Sequence, residues 1–295
     1  MYIVSTSRAE KFAANMLTNE HFKNVEVERK SFPDGEKYFR LMRELKGEDV
    51  VVVGNTNNDS EILEYSFLLD AVREEGASNI IAAIPYFGYA RQHVIYKRGE
   101  AISAKVLING ISEYADRILT VDIHDTSSFK YSSKMCNDFH ASGSIAEYFK
   151  NRGIDLVMAP DDGAFGRAKE VAEILGCKSG FMNKKRIDAS TVHYDMDHID
   201  ASGLRVLLVD DIISTGGTIL RSMEIIKRSG ALETFVSATH GLFINGVDAK
   251  IAEKCNELAV TDTIKSTYSK INVSRRLSEY IAGDIVGKKS YGMPN

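Results

Sequence analysis

The sequence predicts an α/β fold built from two copies of one domain, each a largely parallel sheet flanked by helices. Two observations carry this reading. The first is Val206–Thr218, VLLVDDIISTGGT, where an apolar run leads through two aspartates and two more apolar residues into Ser-Thr-Gly-Gly-Thr. The run reads as a parallel strand buried on both faces. A helix follows over Ile219–Ser229, with Leu220, Met223 and Ile226 on one stripe. The second observation is internal repetition. Asp49–Gly54, Ser60–Glu75 and Asn79–Pro85 read as strand, helix and strand, and the same series recurs about 155 residues later, ending at Thr234–Thr239. Gly76-Ala77 in the first series matches Gly230-Ala231 in the second. A recurring strand–loop–helix–strand order points to a duplicated α/β domain.

Bulk composition sets the class. The chain has 295 residues, 44% of them hydrophobic and 26% charged, enough for two ordinary cores. The net charge of −4 gives no electrostatic support to a general nucleic-acid or membrane-surface role. Cys136, Cys177 and Cys255 stand far apart, which implies a reducing compartment and no zinc site. No signal pattern or membrane-length apolar run is present, so the expected location is cytoplasmic.

The elements follow in order. Tyr2–Ser5 reads as a strand and Ser7–Leu17 as a helix; Val25–Arg29 and Tyr38–Leu41 bracket a Pro-Gly turn, Phe32–Glu36. After the first strand–helix–strand series come an aromatic and basic loop (Tyr86–Arg98), a helix (Ile102–Tyr114) and a strand (Arg117–Asp122). Thr126–His140 reads as irregular, the crossover between domains. Then come a helix (Ser142–Asn151), a strand (Leu156–Ala159), a helix to about Leu175, a strand (Lys178–Met182) and a polar flap (Asp188–Ser202). Beyond the second series lie a helix (Gly246–Lys254), a strand (Glu257–Val260) and a last helix (Val273–Ala282). The expected domains are 1–141 and 142–283, with a tail over 284–295.

Chemistry concentrates at strand ends, where open α/β sheets bind ligands. Ser214, Thr215, Gly216, Gly217 and Thr218 supply backbone N–H groups and hydroxyls at a helix start, an anion site. Asp210 and Asp211 would repel a bare anion, so the pair addresses hydroxyls or a metal, as a phosphosugar would require. The first copy has Gly54–Asp59 in that place and lacks the site. Asp161, Asp162, Gly163, Ala164, Phe165, Gly166 and Arg167 form a second anion loop or an ordinary strand–helix turn. Lys184-Lys185-Arg186 is a phosphate fork or a solvated face. His124 alone reads as a structural histidine, since hard metals prefer oxygen. No Walker A loop and no dinucleotide glycine fingerprint occur.

Taken in order, these clusters resemble the ribose-phosphate pyrophosphokinase family, its archaeal branch above all. The motifs are Phe32–Glu36, Pro85–Gln92, Gly99–Lys105, Thr120–His124, Pro160–Gly163, Lys184–Arg186 and Val209–Thr218. The resemblance implies two phosphoribosyltransferase-type domains and transfer of the β,γ-pyrophosphoryl group of Mg-ATP to the C1 hydroxyl of ribose 5-phosphate. It implies that Asp210 and Asp211 hold ribose hydroxyls, and that Ser214–Thr218, with Arg186, hold the 5-phosphate. Asp161–Arg167 becomes the pyrophosphate loop, with Asp161 and His124 at a Mg²⁺ site. Lys184 and Arg186 become catalytic, and Arg91, Gln92 and His93 face ATP. Phe32, Asp34, Gly35 and Glu36 contact adenine from a neighbouring subunit, so the first domain takes the ATP side and the partner is a second copy, at least in a dimer. Ala164, Asp162, Ser214 and His93 depart from the family's commoner residues. A non-catalytic partner of the same fold and an ordinary phosphoribosyltransferase are the competing expectations.

Overall fold

The computed structural model describes residues 1–182 and 200–284 in full, with the backbone alone of 184–186, 192–194 and 285–290. The side chains of Lys184 and Arg186, most of the flap read over 188–202, and residues 291–295 of the tail lie outside the described residues.

The chain divides into two compact units, one formed by Met1–Phe139 with Ser274–Asn295, the other by His140–Val273. In the first, β1 (Tyr2–Ser5), α1 (Glu10–Met16), β2 (Lys23–Asn24), β3 (Val27–Ser31) and β4 (Lys37–Leu41) lead to β5 (Asp49–Val53). Then come α2 (Asp59–Glu74), β6 (Asn79–Ile84), α3 (Ser103–Tyr114), β7 (Arg117–Val121) and β8 (Met135–Phe139). These build a six-stranded sheet of order β2-β1-β5-β6-β7-β8, every neighbouring pair parallel, with β3 and β4 paired apart as an antiparallel ribbon.

The second unit opens with α4 (Ser142–Phe149), β9 (Leu156–Ala159), α5 (Phe165–Leu175) and β10 (Lys178–Phe181). A ribbon of β11 (Lys184–Arg186) and β12 (Val192–Tyr194) follows, then β13 (Arg205–Ile213), α6 (Gly217–Arg228) and β14 (Glu233–Gly241). It closes with α7 (Val247–Lys254), β15 (Glu257–Thr261) and β16 (Ser269–Ile271), in the order β10-β9-β13-β14-β15-β16, again parallel throughout. Strand for strand this repeats the first sheet, down to a two-stranded ribbon inserted at the same point.

The duplication holds at finer scale. Val50 and Val52 on β5 enter the first core, and Val206 and Leu208 on β13 enter the second. The residues between them, Val51 and Leu207, are fully buried on the opposite face. Both strands are therefore covered on both sides, which is why their sequences are unbroken apolar runs; each such side chain contributes about 1.5–3 kcal/mol on burial. Both helices end alike. Gly76 and Gly230 take left-handed φ values of +79° and +83°, and the N–H groups of Ala77 and Ala231 reach back to the carbonyls of Val72 and Ile226. Each glycine carbonyl then accepts from a second left-handed glycine, Gly47 or Gly203, at 2.8 and 2.9 Å.

Several expectations from sequence are corrected. β13 does not stop at Val209 but runs through Asp210 and Asp211 to Ile213, because β14 is long enough to pair it, with Asp210 opposite Ala238 and Ile212 opposite His240. The stretch read as irregular over Thr126–His140 contains an edge strand, β8, whose sequence MCNDF carries Asn137 and Asp138, residue types depleted in strands. Ser7–Leu17 is a 3₁₀ turn followed by α1, and Val25–Arg29 is broken between β2 and β3.

The last helix, α8 (Val273–Ser290), is longer than the expected Val273–Ala282 and belongs from Ser274 with the first unit, not the second. Its anchor is Arg117 at the start of β7. That guanidinium donates to Asp284, to the Tyr280 hydroxyl at 3.3 Å and to Asn137 Oδ1 at 2.8 Å. Arg117 is buried, so its charge depends on these acceptors. Asp284→Ala should lower stability by roughly 1–3 kcal/mol, read as a lower denaturation midpoint; an unchanged midpoint would mean the helix is held by apolar packing alone.

Candidate active site

In the second unit the sheet order reverses between β9 and β13: β9 leads outward to β10, and β13 leads to β14 on the opposite side. A crevice opens at the carboxyl ends of such a pair. Leu208 pairs with Met158 in parallel register, so the two strands deliver Asp211 and Asp161 at matching heights. The loop that opens at Asp161 thus leaves the sheet beside Asp211 on β13.

Asp161 caps the turn it opens, accepting from the Ala164 N–H at 3.3 Å, and α5 begins at Phe165. Asp162, Gly163 and Ala164 form the 3₁₀ turn between them, with Ala164 buried and Gly163 and Gly166 on the outside. Space remains open around Gly166. Arg167 lies in the first turn of α5.

The neighbouring loop is built on Gly216. Its φ is +72°, and a β-carbon there would lie 2.4 Å from Val247 Cγ2, so left-handed backbone and close approach of α7 both demand glycine. Gly216 is the N-cap of α6 and has no side chain with which to cap it. A β-carbon on Gly217 would meet nothing within 4 Å. The helix therefore starts on open space with its first N–H groups available to an anion, as helix starts require.

Asp210 and Asp211 stand at the inner edge of this space. The Asp211 N–H donates to Asp210 Oδ1 at 2.8 Å. Though part of its surface is accessible, the Asp210 carboxyl is pushed well above the ordinary 3.8, first by burial, then by the charge and hydrogen bonding of Asp211, with Asp161 adding a smaller push. Asp161 and Asp211 thus both bear on the Asp210 carboxyl at one edge of the crevice.

The matching place in the first unit is closed from within. There the loop after β1 is held by α2: Ser7 donates its N–H and hydroxyl to Glu64 at 2.8 and 2.7 Å, and Arg29 Nε donates to the same carboxylate at 3.0 Å. The helix start is capped by Asn58, which accepts from the Glu61 N–H at 3.1 Å. Asn55 and Thr56 are buried against the next loop, where a β-carbon on Gly88 would lie 2.2 Å from the Thr56 carbonyl oxygen. The loops at this place in the first unit are thus held by the protein's own groups.

The other sequence-predicted residues of the first unit fall into three places. Phe32, Asp34, Gly35 and Glu36 form the turn of the β3–β4 ribbon. Phe32 is exposed and meets Tyr38 edge-on; Asp34 Oδ1 accepts from the Glu36 N–H at 3.1 Å, and Gly35 has φ +96°. Arg91, Gln92 and His93 lie on the loop after β6. Arg91 is exposed. Gln92 Nε2 donates to Glu100 at 3.2 Å, and His93 Nε2 lies 3.0 Å from Asp125 while its carbonyl accepts from the Tyr131 hydroxyl. Gln92 and His93 thus also hold the loop's shape. His124 is exposed at the end of β7, close enough to Asp125 to help lower that carboxyl, whose main support is the Ser127 hydroxyl.

Near His124, Asp122 and Asp138 each offer a carboxylate oxygen, the two within 4.8 Å of one another. Asp122 is buried with a left-handed φ of +41°, and Asp138 Oδ1 accepts from the Thr120 hydroxyl and the Ile123 N–H at 2.5 and 3.0 Å. Asp138 escaped notice because it lies on β8, which carries residue types depleted in strands. His124 and Asp161, the metal ligands expected from sequence, belong to different units.

Comparison with known proteins accords with this architecture. Residues 1–114 match the family model described as the N-terminal domain of ribose phosphate pyrophosphokinase, and residues 138–241 match the phosphoribosyl transferase domain. The ribose-phosphate pyrophosphokinase of Thermoplasma acidophilum is 43% identical over 283 residues, covering 96% of this chain and 99% of the relative. That of Pyrococcus furiosus is 41% identical, covering 85% and 89%. A solved phosphoribosylpyrophosphate synthetase from Mycobacterium smegmatis superposes with a TM-score of 0.84 at 23% identity, covering 97% of this chain and 99% of that one, and so shares the fold. Two parallel sheets of one topology, the family models on both and archaeal relatives along nearly the whole length lead to one conclusion: the chain belongs to the ribose-phosphate pyrophosphokinase family.

Proposed function

We propose that this chain transfers the β,γ-pyrophosphoryl group of Mg-ATP to the C1 hydroxyl of ribose 5-phosphate, giving phosphoribosyl pyrophosphate and AMP. One observation carries the reading: of two duplicated crevices, the first is filled by Glu64, Asn58 and Gly88, while the second keeps an uncapped helix start beside a carboxylate cluster. The open crevice suits a ligand with a phosphate at one end and hydroxyls next to it.

In this reading Ser214–Thr218 cradle the 5-phosphate, and Asp210 and Asp211 accept from the ribose hydroxyls and fix the ring. The Asp161–Arg167 loop receives the pyrophosphoryl group. The C1 oxygen attacks the β-phosphorus and loses its proton, the bond between the α,β-bridging oxygen and the β-phosphorus breaks, and AMP leaves with that oxygen. Such transfers depend chiefly on positioning and charge stabilisation, a role we assign to Lys184 and Arg186. Arg91, Gln92 and His93 face the nucleotide, with Phe32, Asp34, Gly35 and Glu36 of a neighbouring copy against the adenine. Asp161 and His124 would hold Mg²⁺. Of the two, Asp161 offers the carboxylate oxygen that such a hard cation prefers, and His124 adds a ring nitrogen. Bound there, the cation supplies charge neutralisation along the phosphate chain.

The direct test is release of AMP and phosphoribosyl pyrophosphate in equal amounts from ATP, Mg²⁺ and ribose 5-phosphate; folded protein that yields no AMP overturns the reading. Lys184→Ala should cut kcat by about 10²–10³ with little change in ATP affinity; matched losses in both would make Lys184 a binding residue. Asp211→Asn should raise KM for ribose 5-phosphate more than KM for ATP, and the reverse order would remove it from the sugar site.

Asp210 adds a pH-dependent prediction. Its folded pKa lies above its unfolded value, so the folded state holds the proton more tightly. Stability associated with that proton is full below about pH 4 and is lost as pH rises through the folded pKa. Asp210→Asn should therefore raise the melting temperature at pH 8 and give a shrinking gain toward pH 4, while weakening ribose 5-phosphate. A melting temperature lowered at pH 8 would contradict the desolvation account.

A further inference from the structure

The loop that follows β14 lies against the Ser214–Thr218 loop through three hydrogen bonds. The N–H groups of Leu242 and Phe243 both donate to the Ile213 carbonyl, at 3.0 and 3.1 Å, and the Ile244 N–H donates to the Ser214 carbonyl at 2.9 Å. A trans peptide points its C=O and N–H in opposite directions. With the carbonyls of Ile213 and Ser214 drawn toward this strap, the N–H groups of Ser214 and Thr215 are turned the other way, toward the crevice. On the same side of the loop, Val247 at the strap's far end presses on Gly216.

Within the strap, Phe243 is held in a conformation that its residue type does not favour. Phe243 and Asn245 take φ values of +49° and +59°, and Gly246 takes +67°. A phenylalanine stays in the left-handed region only where its surroundings hold it there. Here the ring lies over Gly241, where a β-carbon would come within 2.5 Å of Phe243 Cε2, and it meets Tyr268 edge-on at 6.0 Å between centroids. Ring packing thus fixes the strap, and the strap fixes which way the loop's peptides face.

We infer that Phe243 is a positioning residue: through the strap Leu242–Gly246 it aims the N–H groups of Ser214 and Thr215 at the sugar phosphate. This rests on the proposal that Ser214–Thr218 hold the 5-phosphate. Phe243→Gly tests it in the full chain, because glycine keeps the left-handed backbone and removes only the ring. Initial rates should show KM for ribose 5-phosphate raised by about 10- to 100-fold, as small misplacements of a binding group do, with KM for ATP little changed. An unchanged KM for ribose 5-phosphate, or an equal rise for both substrates, overturns the inference. If Phe243→Gly does not fold, Gly241→Ala displaces the same ring from below and is held to the same split. Gly217→Asp separates the underlying reading: it places a carboxylate in the open space and must abolish ribose 5-phosphate binding if the loop holds the phosphate. If Gly217→Asp leaves binding intact, the phosphate assignment itself is wrong. If it abolishes binding while Phe243→Gly changes nothing, the role of the strap alone falls.

Discussion

A parallel strand that turns into a helix leaves backbone N–H groups at the carboxyl edge of the sheet with no partner in the helix. Every other feature of this chain's sites answers to that constraint. The duplicated fold generates the situation twice. In the first unit Asn58 caps the helix, the Glu64 carboxylate occupies the donors of Ser7, and Gly88 lets the next loop close over Thr56. In the second unit Gly216 supplies no cap and Gly217 faces open space. One copy thus satisfies its donors internally; the other starts its helix without a side-chain cap. The difference lies in a handful of side chains on an unchanged topology.

The acidic edge of the second crevice shows the cost of that openness. Three aspartates converge there, and the Asp210 carboxyl is held unfavourably as an anion by burial and by its neighbours. Sites that accept hydroxyls and cations concentrate such charge, at the expense of the empty protein's stability. The first unit places Glu64 under opposite circumstances, with Arg29 and Ser7 compensating the charge, and so turns a carboxylate into a structural tie.

Much of this was legible in the sequence because the physics was local. Apolar runs such as VVVV and VLLV suit strands covered on both faces, and the matching Gly-Ala pairs after two helices marked the repeat, at glycines that the structure places in left-handed backbone. Asp161 and Asp210–Thr218 stood out because charge and glycine cluster there at strand ends. What escaped was decided by distant partners. β8 pairs through its backbone at a sheet edge despite residue types depleted in strands, so Asp138 was hidden with it. β13 continues through two aspartates because β14 is there to pair it, and α8 takes its place through Arg117, more than 150 residues away in sequence.

That last contact bears on how the protein is made. The first unit comprises Met1–Phe139 and Ser274–Asn295, so its two segments flank the second unit in sequence. A ribosome delivers residues from the N-terminus at about 5–20 per second, so all 134 residues of the second unit emerge before the helix that completes the first. The second unit has its whole sequence in hand earlier, while Arg117, with Asn137 already beside it in the first segment, waits for Tyr280 and Asp284. During synthesis the unit that starts first is the one that finishes last.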